Sequence, residues 1–125
     1  MREIGGESIW IFVAAVSGAV AVMAGAFGAH SLRERVAIEQ VQSWATASQY
    51  HLLHSVVLLA LALYAAQSGR DVQWPAILFT VGIVLFSGSI YLLVLTPLKW
   101  LGPVTPIGGF FLIAGWLSLL LLARS

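Results

Sequence analysis

The sequence has no cysteine. That excludes disulfides, thiolate nucleophiles and any zinc or iron–sulfur centre held by cysteine. Charge is almost as scarce: Asp, Glu, Lys and Arg make up 9% of 125 residues, against about a quarter in soluble domains. Six Lys/Arg against five Asp/Glu leave a formal net charge of +1 with no basic block, so no nucleic acid is expected as a partner. No Gly/Ser-rich linker, low-complexity tract or internal repeat divides the chain, and its length allows a single membrane domain, 1–125. What is abundant is apolar surface, with 60% hydrophobic residues. Such a composition belongs in a bilayer. It names no activity.

A hydrocarbon core about 30 Å thick takes roughly 20 consecutive apolar residues as a helix. Stretches at about 9–29, 44–66, 74–95 and 104–123 qualify. The expected fold class is therefore an all-α integral membrane protein, a four-transmembrane-helix bundle surrounded by lipid. The first stretch is expected to be a retained span. Glu3 and Glu7 sit where a signal peptide would be basic, and the apolar run exceeds the usual h-region. Gln67 to Asp71 and Thr96 to Pro103 are short turns that make their flanking spans antiparallel neighbours. The segment 31–43 differs. Ser31-Leu32-Arg33-Glu34 has the form of a capping box, and Val36, Ala37 and Val41 recur near helical spacing. It is expected to form a short amphipathic interfacial helix between spans 1 and 2, separate from the second span or continuous with it. Arg2, Arg70 and Arg124 on one side balance Arg33, Arg35 and Lys99 on the other, so the positive-inside rule chooses no orientation.

In the first span, Ala14, Gly18, Ala21, Gly25 and Gly28 alternate at spacings of four and three, which places them on one helical face. Small residues let a neighbouring backbone approach closely, and packing is the main attraction between helices in lipid. Gly18, Gly25 and Gly28 are thus helix-packing residues. They serve either the bundle itself or a homo-oligomer or membrane-protein partner.

The antiparallel topology gathers the polar residues into one half of the membrane. His30 closes the first span. Thr46, Tyr50, His51 and His54 open the second, Ser87, Ser89 and Tyr91 end the third, and Thr105 starts the fourth. Ionisable groups inside a span are costly and face the bundle interior, where partners satisfy them. Thr46, Tyr50 and His54 share one face at i, i+4, i+8, with His51 and Ser55 on the adjoining one. These residues form a candidate polar cluster or ligand-binding site. It can act as a structural network of neutral histidines, as a site for a small ligand or lipid headgroup, or as a proton relay. The relay is weakened because the polar residues reach only halfway across. His30, His51 and His54 are the candidate metal ligands, and His30 with His54 a conceivable haem pair. Yet no Asp, Glu or Cys lies inside a span to complete a shell, so no cofactor is expected. The same lack rules out a serine–histidine–acid set within the membrane.

Gly25-Ala26-Phe27-Gly28-Ala29-His30, Tyr50-His51-Leu52-Leu53-His54, Leu85-Phe86-Ser87-Gly88-Ser89-Ile90-Tyr91, and Thr105-Pro106-Ile107-Gly108-Gly109 with Gly115-Trp116 stand in this order along the chain. Together they resemble the YgdD/YwdK-type family of small bacterial inner-membrane proteins, a domain-of-unknown-function family. The resemblance covers nearly the whole chain. It implies a four-span protein of a bacterial inner membrane and brings no reaction or catalytic residue. The functional expectation is a non-enzymatic membrane protein whose His/Tyr/Ser cluster binds a partner, lipid or small ligand. The alternative is a metal- or haem-handling redox protein using His30, His51 and His54.

Overall fold

The computed structural model describes residues 6–124, the Glu7 side chain excepted. Arg2 and Glu3, which entered the charge balance and the signal-peptide comparison, lie outside the described residues. Four helices are long and apolar enough to cross a membrane. They are α1 (Gly6–His30), α2 (Ile38–Ser68), α3 (Gln73–Leu95) and α4 (Val104–Ala123). No β-strand occurs among the described residues. The outward surface is apolar, with Phe12 70% and Phe110 71% exposed. In water such a surface would drive association, whereas in a bilayer it is the face that meets solvent. Trp74 near one end and Trp100 near the other are also exposed, at the levels where tryptophan favours the membrane–water boundary.

The bundle is built from two tightly packed pairs, α1 with α2 and α3 with α4, joined through contacts of α2 with α3. The small-residue face of α1 lies on α2. A Cβ on Gly28 would stand 2.5 Å from Trp44 Cδ1, and Gly18 and Gly25 pass beside Ser55 and Ser48. The face left open above to a second copy is thus covered by α2 of the same chain. Between α3 and α4, Gly115 takes the Phe79 ring and Gly82 takes Leu112.

Midway along α3, Val84–Gly88 form a π-helical turn. A π turn holds an extra residue, which re-aims the side chains that follow it. Gly108 of α4 lies directly against this turn. A Cβ there would overlap the backbone of Leu85 and Phe86, so only glycine permits the approach. At the end where α2 meets α3, Gly69 adopts φ 74° and its N–H caps the Ala65 carbonyl at 2.9 Å. The adjacent Arg70 reaches the last turn of α4. Its guanidinium donates to the Leu122 carbonyl at 2.5 Å and the Arg124 carbonyl at 3.0 Å, where the negative end of the helix dipole favours a cation.

Of the two forms expected for segment 31–43, the second is seen over residues 38–43, which are helical and continuous with α2, whereas 31–37 form no helix of the expected kind. Leu32–Glu34 make one 3-10 turn, the chain then extends at Ala37, and α2 runs unbroken from Ile38. Ser31 makes no capping bond. Leu32 is 1% exposed, so its burial holds the turn against the bundle, and helix propensity yields to that packing. The cap forms six residues later, where the Ala37 N–H donates to Gln40 Oε1 at 3.2 Å.

Candidate functional site

The inward face of α2 comprises Trp44, Ala47, Ser48, His51, His54, Ser55 and Leu58, all buried. Thr46 and Tyr50 lie outside it and are exposed. The expected face through Thr46, Tyr50 and His54 is therefore turned away from the interior except at His54. Packing against α1 sets this rotation, because Trp44 sits over Gly28 and donates its indole N–H to the Ala24 carbonyl at 2.7 Å.

His51 joins α1, α2 and α3. Its Nδ1 lies 3.0 Å from Tyr91 Oη, and its Nε2 lies 3.1 Å from Ser17 Oγ. Ser17 Oγ in turn lies 2.6 Å from Ser55 Oγ, and Ser55 donates to the His51 carbonyl at 2.7 Å. A carbonyl only accepts, so the Ser55 proton is committed to it. The short Ser17–Ser55 contact must then carry the Ser17 proton, and Ser17 accepts from His51 Nε2–H. His51 Nδ1 is left as an acceptor for the Tyr91 hydroxyl. Every hydrogen in the chain is assigned, in one direction. It ends on backbone, without an exit.

His54 belongs to a different set. Its Nδ1 donates to the Tyr50 carbonyl at 2.7 Å, and its Nε2 accepts from Trp116 Nε1–H of α4 at 3.0 Å. Phe79 packs beside both rings, at 5.7 Å from the His54 centroid and 5.5 Å from that of Trp116. The two histidines thus hold opposite neutral tautomers and reach different helices.

The remaining candidates divide similarly. Buried Ser87 donates to the Ala47 carbonyl at 2.7 Å, tying the π turn to α2. Ser89 donates to the Phe86 carbonyl at 3.0 Å and lies 2.5 Å from Thr105 Oγ1, which must supply the proton between them. Tyr50 lays its ring on Phe86, with centroids 5.0 Å apart. Thr46 and Thr105 line a shallow groove between α2 and the end of α3. His30 is exposed at the end of α1, apart from the other two histidines. One shared histidine network is accordingly replaced by two, each closed on its own partners. Among the described residues no group of three or more His, Cys, Asp or Glu could hold a metal ion. His51 and His54 also have both ring nitrogens engaged, which leaves neither free to ligate.

Two participants escaped the sequence reading. Ser17 lies three residues after Ala14 and four before Ala21, so the packing face itself marked it. Trp116 follows Gly115, but which helix its indole meets depends on tertiary packing alone. Buried side-chain nitrogens and oxygens without a partner are absent among the described residues.

A groove of about 420 Å³ separates α1 from α3. Phe12, Val16, Val20 and Val84 form its lips, and Ser17, His51, Ser87 and Tyr91 contribute to its walls. The exposed lining is almost wholly apolar, so the hydrogen-bonded chain lies behind the surface that a guest would touch.

The family model described as "Protein of unknown function (DUF423)" matches residues 24–109, which include His30, His51, His54 and Tyr91 but neither Ser17 nor Trp116. A UPF0382 membrane protein of Staphylococcus aureus is 38% identical over 113 residues, covering 90% of this chain and 93% of its own. A UPF0382 membrane protein of Staphylococcus epidermidis is 39% identical over 113 residues, covering 90% and 93%. The UPF0382 membrane protein YwdK of Bacillus subtilis is 38% identical over 117 residues, covering 92% and 95%. No solved structure matches. With four apolar helices, a lipid-compatible surface and relatives of matching length that are named membrane proteins, the chain belongs to the DUF423 family of multi-pass membrane proteins.

Proposed function

We propose that the protein is a non-enzymatic component of a bacterial inner membrane that holds a small lipid-soluble molecule between α1 and α3. The groove of about 420 Å³ carries this reading, since it opens sideways toward lipid and its size suits a small ligand. Its apolar lining favours a guest with an apolar body. The His51 chain supports a positioning role, fastening α1 and α3 to α2 at the spacing that keeps the groove open. A general base needs a nitrogen free to take a proton from substrate, and both buried histidines have theirs engaged. The same engagement disfavours the metal or haem alternative. Relatives from Staphylococcus and Bacillus support a bacterial membrane.

Native mass spectrometry of the protein released from detergent tests the reading. A small apolar molecule of defined mass should stay bound to the wild type. Val84→Trp, which fills the groove from its exposed lip, should remove that molecule and leave the melting temperature nearly unchanged. A spectrum showing only bulk lipid, identical in Val84→Trp, would refute the proposal.

A further inference from the structure

A second groove lies where α1 ends and α2 begins, with a volume of about 480 Å³. Along the helices Arg33 of the 3-10 turn lies nearest the end of the bundle, Ser48 and Gln49 come next, and Ala21, Gly25 and Leu52 lie farthest into the spans. From the level of Val41, which also lines the groove, to Leu52 is eleven residues of one helix, or about 16 Å at 1.5 Å per residue. The glycines and alanines of α1 leave this space open on the outer side of the contact between Gly28 and Trp44.

Gln49 is an exposed amide residue within a candidate membrane span, and its side chain makes no hydrogen bond to another described residue. The same holds for the neighbouring Thr46 and Tyr50 hydroxyls, but of the three only Gln49 lines this groove. A polar group at that depth is costly unless something polar reaches it from the lipid side. A glycerophospholipid meets all three levels: a phosphate for the guanidinium, ester carbonyls for the amide, and an acyl chain for Ala21, Gly25 and Leu52.

We propose that this groove binds one anionic glycerophospholipid, with its phosphate on Arg33 and an ester carbonyl on the Gln49 amide. The site is separate from the groove between α1 and α3, and holds whether or not that groove is occupied. Net headgroup charge sets the preference, because a zwitterionic lipid brings a cation beside Arg33 that offsets the gain.

The test uses the full chain in a neutral detergent, with phosphatidylglycerol, phosphatidylcholine or inorganic phosphate added, read by native mass spectrometry and thermal shift. Phosphatidylglycerol should bind roughly fivefold tighter than phosphatidylcholine, the preference expected for one interfacial arginine, and inorganic phosphate should give no shift. Arg33→Gln should abolish the preference and Arg33→Lys should keep part of it. Gln49→Leu, on a different element, should weaken binding of both lipids. Arg35→Gln, in the same loop but outside the groove, should change little. Equal binding of the two lipids overturns the proposal. So does a preference that survives Arg33→Gln, one lost equally in Arg35→Gln, or a shift reproduced by phosphate alone. Val84→Trp should leave lipid binding intact, so failure here and failure of the proposed function are told apart.

Discussion

His51 and His54 stand three residues apart on one helix and are both buried, yet their ring nitrogens carry opposite roles. His51 must hold its proton on Nε2, because the chain through Ser17 and Ser55 runs in one direction toward a carbonyl. His54 must hold its proton on Nδ1, facing the Tyr50 carbonyl. Nitrogen-15 NMR of the histidine-labelled protein, with His30 replaced by Gln so that two histidines remain, should therefore show one ε tautomer and one δ tautomer, and two identical tautomers would break the hydrogen assignment. Interhelical hydrogen bonds in membranes contribute on average about 0.6 kcal/mol and at most about 1.7. A cycle of His54→Leu, Trp116→Phe and the double variant should give a coupling in that range. His54→Leu alone should lower the melting temperature in detergent, since it strands the Trp116 N–H. A coupling near zero would mean that the two rings do not share a hydrogen bond.

The most demanding element is the π turn of α3, because two neighbours depend on its shape. Ser87 ties it to α2 through the Ala47 carbonyl, and Gly108 of α4 fits against its backbone. Gly108→Ala should cost about 1–3 kcal/mol as an overpacked contact, whereas Gly88→Ala in the same turn meets nothing within 4 Å and should be tolerated. Reversible unfolding in mixed detergent measures both, and equal effects would show that close approach at Gly108 is not what glycine supplies. Little in residues 84–88 announced this turn. Their hydrophobicity suits a regular helix, and the extra residue is stabilised by contacts with other helices. The failed capping box at Ser31 is similar in kind, since Ser-x-x-Glu is a local preference and Leu32 is held by a distant one.

At the scale of the molecule, four spans put Gln67 at one end of the bundle and Glu34 and Trp100 at the other. The chain has no native cysteine, so single substitutions report sidedness cleanly. A membrane-impermeant maleimide should reach Gln67→Cys from one side only, and Glu34→Cys and Trp100→Cys from the opposite side only. Labelling of all three from one side would remove a span. Counting Lys and Arg along the sequence chooses no orientation, so the experiment also supplies the one that charge counting leaves open.

Hydropathy and residue size were enough, within the sequence, to establish the membrane, the number of spans and the packing face of α1. These properties are legible because lipid requires each helix to satisfy its own backbone, which makes a span a local feature of some twenty residues. The polar residues were legible as a set and illegible as a circuit. Periodicity alone left α2 free to present Thr46, Tyr50 and His54 or to present His51, His54, Ser55 and Leu58. Trp44 against Gly28 decided between these rotations. Once α2 was turned that way, Ser17 and Tyr91 became the partners of His51, and Trp116 became the partner of His54. A side chain's partner depends on where other helices stand and how each is rotated about its axis, and only the packed bundle sets both.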